Sequence, residues 1–159
     1  MHTCALLKRG AVRCWGSGST GQLGHGGAHR VLRASEARDA DLGSPDAIAL
    51  QVSAGGHHTC ALLSTGAVTC WGYNAEGQLG QGYRSTLYAP PRAAVGLGDA
   101  TAWGLVTGAQ HTCALLSTGG ARCWGANGSG QLGYGHTQSL GDDEPISGVG
   151  DLLLTRPVP

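Results

Sequence analysis

Six cysteines in the 159-residue sequence carry the clearest chemistry, because they occur as three equally spaced pairs. In each pair a His-Thr-Cys segment is followed, ten residues after its cysteine, by a second cysteine that precedes Trp-Gly. The pairs are Cys4 and Cys14, Cys60 and Cys70, and Cys113 and Cys123. Two thiols at a fixed spacing can form a disulfide, stay reduced in a core, or supply thiolate ligands to zinc.

The segments around the cysteines predict β-hairpins. The sequence HTCALL combines a β-branched threonine with apolar residues and contains no strand breaker, which is typical of a strand. The three residues that follow end in glycine in every copy, at Gly10, Gly66 and Gly119. A three-residue hairpin loop ends in a residue with positive φ, which glycine adopts without a steric penalty. A second strand, ending at tryptophan, completes each hairpin.

The loop length determines which residues of a hairpin face each other. If Leu7 closes the loop against Ala11, Cys4 lies directly opposite Cys14 at a non-hydrogen-bonded position, and the same count holds in the other copies. Opposed Cα atoms at such positions are about 4.5 Å apart, within reach of a disulfide. The sequence therefore predicts one cross-strand disulfide per hairpin. Because disulfides persist in oxidising compartments, we expect an extracellular, cell-surface or periplasmic location.

Two alternatives remain open from the residues alone. The cysteines could stay reduced as small core residues, or the recurring His-x-Cys could bind zinc. Because these positions offer a poor tetrahedral site, we predict no metal. A histidine that recurs identically in every unit is more typical of a scaffold than of an active site. We expect His2, His58 and His111 to form hydrogen bonds with a connector carbonyl or a neighbouring unit.

The hairpins belong to a longer repeat, and such a period indicates an array of similar units. Each repeat continues through Trp-Gly and four residues to Gly-Gln-Leu-Gly, so the repeat cores are 2–26, 58–82 and 111–135. We expect the tryptophans to pack in the core or between units; they are Trp15, Trp71 and Trp124. The leucines of the last motif should fill the core; they are Leu23, Leu79 and Leu132. Its glycines should permit positive φ or close backbone approach; they are Gly21, Gly24, Gly77, Gly80, Gly130 and Gly133.

Variable connectors separate the repeat cores, at 27–57, 83–110 and 136–159. The first two end in short apolar runs, 48–52 and 102–106, that predict one more strand before each hairpin. In the second run we expect Trp103 to take a core position rather than a surface position. Residues 29–40 could form a helical turn, although the apolar spacing is poor.

The composition narrows the classes of function. Ten basic residues balance ten acidic ones, and there is no basic run, so we expect no nucleic-acid partner. No apolar run approaches the length of a membrane span, so we expect no membrane insertion. The acidic run 142–144 has no recognisable calcium-ligand spacing, which favours a solvated loop. No nucleophile elbow, phosphate loop or metalloprotease motif is present in the sequence, so we predict neither a cofactor nor a catalytic residue.

The motif HTxAL, a hairpin and then xWGxNxxGQLG resembles the regulator of chromosome condensation repeat family over nearly the whole chain. The resemblance implies an all-β fold, a β-propeller with antiparallel four-stranded blades, usually about seven of them. Three repeats amount to about three blades, fewer than the roughly 4–8 that close a ring. We therefore predict that 1–159 forms a single partial propeller, an open arc. Its uncovered blade edges favour self-association.

The cysteine pair in each repeat resembles bacterial secreted members of this family, one of which inhibits β-lactamases through a loop face. We therefore expect a non-catalytic protein-binding module whose connectors form the recognition face, with a partner of unknown identity. The first alternative is a nucleotide-exchange regulator of a small GTPase, like the eukaryotic members. The second is a polysaccharide-active enzyme, which would have to use polar connector residues that lack motif spacing. These residues are His25, His29, Glu36, Asp39, Asp41 and His136.

Overall fold

Three antiparallel sheets make up the described part of this computed structural model, residues 1–91 and 93–152. The strands in this part are β1 His2–Leu6, β2 Val12–Gly16, β3 Ala49–Ala54, β4 His58–Leu63, β5 Val68–Gly72, β6 Ala102–Thr107, β7 His111–Leu116 and β8 Ala121–Gly125. Two single 3-10 turns lie in the connectors, at Ala34–Glu36 and Ile146–Gly148. We call β1–β2 the first blade, β3–β5 the second and β6–β8 the third.

The predicted hairpins and their register are confirmed. The backbone N–H of Leu7 donates to the carbonyl oxygen of Ala11 at 2.9 Å, which closes the first loop as the loop length predicts. Gly10 has a φ of 77°, so the last loop residue takes the left-handed conformation that favours glycine. Cys4 then pairs with Cys14, and the equivalent residues pair in the other two hairpins.

The apolar runs at the ends of the first two connectors form the predicted strands β3 and β6. Each pairs antiparallel with the first strand of the following hairpin. In both, the register shifts by one residue, at Leu50 in β3 and at Trp103 in β6. These shifts are β-bulges, which leave one residue of the strand without a partner.

The prediction of four-stranded blades is wrong for the described residues, since the three sheets contain two, three and three strands. After each Gly-Gln-Leu-Gly corner the connector returns to the outer strand and meets it only at isolated bridges. One bridge recurs in all three blades, at Gly16 with Val31, Gly72 with Leu87, and Gly125 with Leu140, and a second one joins Arg13 to Asp39 and Ala121 to Leu152. The strand-end glycine has a positive φ, 107° at Gly16, which bends the strand where the connector meets it. The connector residues Arg92 and 153–159 lie outside the described part.

Apolar side chains collect between neighbouring blades rather than inside any one of them. One cluster joins residues of the first blade to the buried Trp71 of the second, and the other joins residues of the second blade to the buried Trp124 of the third. Leu23, Leu79 and Leu132 are all buried, as predicted. A core formed between repeated units is the arrangement expected of propeller blades.

Candidate functional site

The structure brings the six cysteines together in the predicted pairs. The sulfur atoms lie 2.06 Å apart in Cys4–Cys14, 2.13 Å in Cys60–Cys70 and 2.09 Å in Cys113–Cys123. The Cα atoms of each pair are 4.1 Å apart, as directly opposed strand residues require. A sulfur bonded to another sulfur is not a thiolate, so the neighbouring histidines have no thiolate with which to share a zinc ion.

Two of the three repeated histidines, His2 and His58, reach across to the next blade as predicted, whereas the side chain of His111 makes no such contact among the described residues. The Nε2 atom of His2 lies 2.7 Å from the hydroxyl oxygen of Thr59, and that of His58 lies 3.0 Å from the hydroxyl oxygen of Thr112. Both histidines therefore contact the threonine that follows the next repeat's own histidine.

The same threonines connect to the corner of the preceding blade. The hydroxyl of Thr59 and the indole N–H of Trp71 both donate to the backbone carbonyl oxygen of Gln22, at 2.8 and 3.1 Å. Thr112 and Trp124 repeat this arrangement on the carbonyl of Gln78, at 2.9 and 3.0 Å. We call this set of four residues, His, Gln, Thr and Trp, the blade joint. Because the threonine hydroxyl donates to the carbonyl, the histidine N–H must donate to the threonine oxygen.

Burial keeps the joint histidines neutral. It lowers the pKa of His58 to about 3, with smaller contributions from His2, His111 and His57. It lowers the pKa of His2 to about 4, with contributions from the N-terminal amine and His57. A neutral imidazole with its proton on Nε2 is the form that the hydrogen bond to threonine requires. The Nε2–H group of each of these histidines is already used in a hydrogen bond that joins two blades. They are therefore poorly suited to act as a general base near neutral pH.

The corner glycines allow the blades to approach closely. A Cβ atom on Gly24 would lie 2.8 Å from the indole nitrogen of Trp71, and one on Gly80 would lie 2.8 Å from that of Trp124. A Cβ atom on Gly77 would lie 2.5 Å from the backbone nitrogen of Asp142. Close approach is thus confirmed in the first two copies. In the third copy, Gly130 has nothing within 4 Å among the described residues, and Gly133 has only Leu152, at 3.5 Å.

Sequence reasoning missed the joint threonines and a buried asparagine brace. The side-chain oxygen of Asn74 accepts the backbone N–H of Leu79 at 2.9 Å, and that of Asn127 accepts the N–H of Leu132 at 3.0 Å. Both asparagines are fully buried and also donate to carbonyls of the following connector. Their position three residues after the repeat tryptophan was the available signal.

The acidic run in the third connector is not simply a solvated loop. Asp142 is buried and forms an ion pair with Arg84 of the preceding connector. Oxygen atoms of Asp142, Asp143 and Glu144 lie within 4.8 Å of one another. Burial, followed by the side chain of Asp143, raises the pKa of Glu144. The cluster thus already holds one cation, a guanidinium group, and ties two connectors together.

The polar connector residues do not form a catalytic constellation in the described part of the chain. His25, His29 and Glu36 line one surface cleft, but the two imidazole rings are 6.1 Å apart at their centres. Asp39 is held by Arg13 at 2.6 Å, and His136 lies against Asn127. The nucleophile, base and orienting group that hydrolysis or transfer chemistry needs are not assembled here.

The two β-bulges each expose a large apolar side chain on the surface. Leu50 is 60% exposed and Trp103 is 66% exposed, although each follows a buried alanine in its strand. The core position expected for Trp103 is therefore wrong. A bulge shifts the in–out alternation by one residue, so that the unpaired residue turns away from the core. We call Leu50 and Trp103 the bulge pair; they occupy equivalent positions on neighbouring blades.

The indole of Trp103 is held in place although it is exposed. Its N–H donates to the backbone carbonyl of Leu116, the last residue of β7, at 3.1 Å. The two bulged strands are also tied together, because the Gln51 side chain bonds both the N–H and the carbonyl of Leu105, at 3.0 and 2.6 Å. The bulge pair is thus presented by a rigid support, as binding hot spots commonly are.

Among the described residues no helix is both long and apolar enough to cross a bilayer. Comparison with known proteins matches two family models described as the regulator of chromosome condensation (RCC1) repeat. One matches residues 2–22, 50–78 and 104–131, and the other matches 65–115. The matched segments contain all three hairpins.

Curated relatives and solved structures agree with these matches. The chain is 37% identical over 136 residues to the human probable E3 ubiquitin-protein ligase HERC4, covering 86% of this chain and 12% of that protein. It is 36% identical over 139 residues to the Arabidopsis thaliana ultraviolet-B receptor UVR8, covering 86% of this chain and 30% of that protein. The chain therefore spans well under half the length of these relatives.

Two solved structures share the fold at lower sequence identity. Yeast RCC1 (Prp20) bound to Kap60 matches with a TM-score of 0.73 and 19% identity, over 91% of this chain and 35% of that one. Human WBSCR16 matches with a TM-score of 0.73 and 22% identity, over 98% of this chain and 38% of that one. At these identities the likeness concerns the fold alone.

Proposed function

Because this chain belongs to the RCC1 repeat family of β-propeller proteins, we propose that it is a non-catalytic module that binds a protein partner through its connectors. The observation that carries the proposal is the exposure of Leu50 and Trp103 on paired bulges. Both residues lie in the connectors 27–57 and 83–110, the segments in which the repeats differ. Yeast RCC1, which shares the fold, was solved bound to another protein, Kap60.

Protein binding agrees with the physical character of the bulge pair. A tryptophan and a leucine on a fixed support offer a large apolar contact area at a low cost in side-chain entropy. Exposing them to water is unfavourable for the isolated chain, and a partner that covers them removes that cost. The repeated histidine, threonine and tryptophan side chains of the blade joints, by contrast, already have hydrogen-bond partners within the chain.

We further propose that the module works in an oxidising compartment, outside the cytoplasm. The three cross-strand disulfides support this, because such bonds are not maintained in a reducing cytosol. Mass spectrometry of the protein from its native source, alkylated before and after reduction, tests the idea. Three disulfides support it, and six free thiols on the freshly isolated protein would reject it.

Quantitative affinity capture from the native source tests the binding face. The baits are the wild type, Leu50→Asp and Trp103→Asp, with Leu32→Asp as a matched control, since Leu32 is exposed in the first connector but is not part of the bulge pair. We expect a specific partner that is lost with both bulge variants and retained by the control. Calorimetric titration with the purified partner should then show at least a tenfold weaker affinity for Trp103→Asp. Capture that is indifferent to both bulge variants contradicts the proposed face.

A further inference from the structure

The first repeat carries basic side chains where the other two repeats carry neutral ones. The connectors align at their bridge residues, which follow the last repeat glycine at the same distance; they are Val31, Leu87 and Leu140. In this alignment His25, His29 and Arg30 of the first repeat correspond to uncharged residues in the others. Those residues are Gln81, Ser85 and Thr86 in the second repeat and Tyr134, Gln138 and Ser139 in the third. A basic group found in one repeat only is not needed to build the repeat, so it is a candidate for binding.

These basic residues line a single cleft with a volume of about 280 Å³, which we call the basic cleft. Its lining residues are His25, His29, Arg30, Val31, Glu36 and Arg38. All of them belong to the first repeat core or to the connector that follows it, so the lining needs no contribution from another blade.

The acidic groups near the basic cleft are paired or lie elsewhere. The carboxylate of Glu36, the one acidic residue in the lining, accepts a hydrogen bond from the guanidinium of Arg33 at 3.2 Å. Asp39 follows Arg38 in the chain, but its carboxylate is held by Arg13 at 2.6 Å. Asp39 and Asp41 line a neighbouring cleft and not this one.

The two arginines of the basic cleft, by contrast, have no carboxylate within ion-pair distance among the described residues. Arg30 and Arg38 are both exposed to solvent. They therefore place two positive charges at one cleft of a chain whose net charge is zero. A local excess of positive charge with free guanidinium groups attracts anions.

The histidine between them has a free ring nitrogen. The Nε2 atom of His25 is buried and has no hydrogen-bond partner in the described part of the chain. Burial lowers the pKa of His25, and the charges of His29 and Arg38 lower it further. An anion in the cleft would offset the charge of Arg38 and give the imidazole a hydrogen-bond partner.

We propose that the basic cleft binds a doubly charged oxyanion of the phosphate or sulfate type, either free or as an ester group. The planar guanidinium groups of Arg30 and Arg38 match the oxygen geometry of such an anion, and their two charges balance its charge. The imidazoles alone would also suit a metal ion, but two unpaired guanidinium groups repel a divalent cation. The site lies apart from the bulge pair in the sequence and does not rest on the proposed protein partner.

Isothermal titration calorimetry of the oxidised 159-residue chain tests the proposal. The probes are inorganic phosphate, inorganic sulfate and glucose 6-phosphate, with acetate as the singly charged comparison, all at constant ionic strength in chloride buffer. We expect one saturable site whose affinity for at least one doubly charged probe is tenfold or more above that for acetate. Binding of the inorganic ions identifies a free oxyanion as the ligand, and binding of glucose 6-phosphate alone identifies an ester. A chain that binds none of the three, or that binds acetate equally well, overturns the proposal.

Charge-matched variants locate the site. Arg30→Gln and Arg38→Gln should each weaken binding at least tenfold, because each removes a hydrogen bond to a charged group. Arg9→Gln is the matched control, since Arg9 is exposed in the first hairpin loop, outside the cleft, and its loss changes the net charge equally. Circular dichroism verifies that each variant is folded. Equal affinity in the wild type and both cleft variants, or an equal loss in Arg9→Gln, would show that the anion is attracted by the general charge of the chain.

Nuclear magnetic resonance of the histidine rings gives a second readout. The ring-proton signals of His25 and His29, assigned with His25→Gln and His29→Gln, should shift as the best calorimetric probe is added. The signal of His57, an exposed histidine outside the cleft, should stay in place. Shifts confined to histidines other than His25 and His29 would contradict the assigned site.

Discussion

The first and second blades contain nearly the same hairpin sequence, yet they bury it to different degrees. Trp71 is fully buried against the first blade, while the equivalent Trp15 is only half-buried. Both hairpins have the same register and the same disulfide. The difference therefore arises from the neighbour and not from the hairpin. In this chain the local sequence is enough to form each hairpin, whereas the apolar core forms only where one blade stacks on another.

Replacing the repeat tryptophans should give the largest difference between the two blades. Trp71→Ala removes a fully buried side chain together with its hydrogen bond to Gln22, so we expect a loss of about 3–5 kcal/mol in the free energy of unfolding. Trp15→Ala should cost less than half of that. Urea unfolding at low protein concentration, where association is disfavoured, measures both. Equal losses would show that stacking does not determine the core.

Removing a disulfide should affect the two blades about equally. A cross-link between residues separated by ten positions constrains the unfolded chain, which is worth roughly 2–3 kcal/mol by the chain-entropy model. That term does not depend on burial in the native state. We expect the double variants Cys4→Ala/Cys14→Ala and Cys60→Ala/Cys70→Ala to lose similar stability in urea unfolding. A much larger loss in the second blade would mean that packing of the sulfurs outweighs the entropy.

A glycine comparison isolates the close contact in a blade joint. Gly80 and Gly133 have φ values of 69° and 83°, so alanine is strained at both. Only at Gly80 would the added Cβ collide with the next blade's tryptophan. We expect Gly133→Ala to lose about 1 kcal/mol and Gly80→Ala to lose about 1–3 kcal/mol more. Thermal unfolding of both variants provides the measurement, and equal losses would show that the joint tolerates a methyl group.

Much of this fold follows from short-range rules that a single sequence obeys. The Gly10 loop fixes the hairpin register, and the register fixes the Cys4–Cys14 pair, because a strand has a period of two. The cross-blade role of His58 was also predictable, since a group repeated in every unit serves the repeat. The same hairpin sequence did not reveal Thr59 as its partner, because that contact depends on how blades stack.

The errors arose where the backbone departs from the regular strand. Trp103 was expected in the core, but a one-residue bulge turns its side chain out to the surface. The expected fourth strand is reduced to isolated bridges between the connector and the outer strand, and the positive φ of Gly16 and its equivalents bends that strand at one of them. Asp142 looked like part of a solvated loop because its partner, Arg84, lies 58 residues away in the sequence.

Acidification should weaken the joint between the second and third blades, and this is the smallest of the expected effects. The pKa of His58 is lowered to about 3 by burial, against about 6.5 in an unfolded chain. Below pH 6.5 the unfolded chain therefore binds a proton that the folded chain does not, so the free energy of unfolding falls as the pH falls. The contribution is fully present above pH 6.5 and decreases by about 1.4 kcal/mol per pH unit towards the folded pKa.

Urea unfolding between pH 7 and pH 5 of the wild type, His58→Gln and His57→Gln measures this effect. Glutamine at position 58 can still donate an N–H to Thr112 but does not titrate, so His58→Gln should reduce the pH dependence and leave the part that comes from the lowered pKa of His2. His57 is exposed, and its replacement should leave the slope close to that of the wild type. If His58→Gln keeps the full wild-type slope, the acid sensitivity comes from groups outside the joint, and the neutral, buried imidazole is not what holds the second and third blades together.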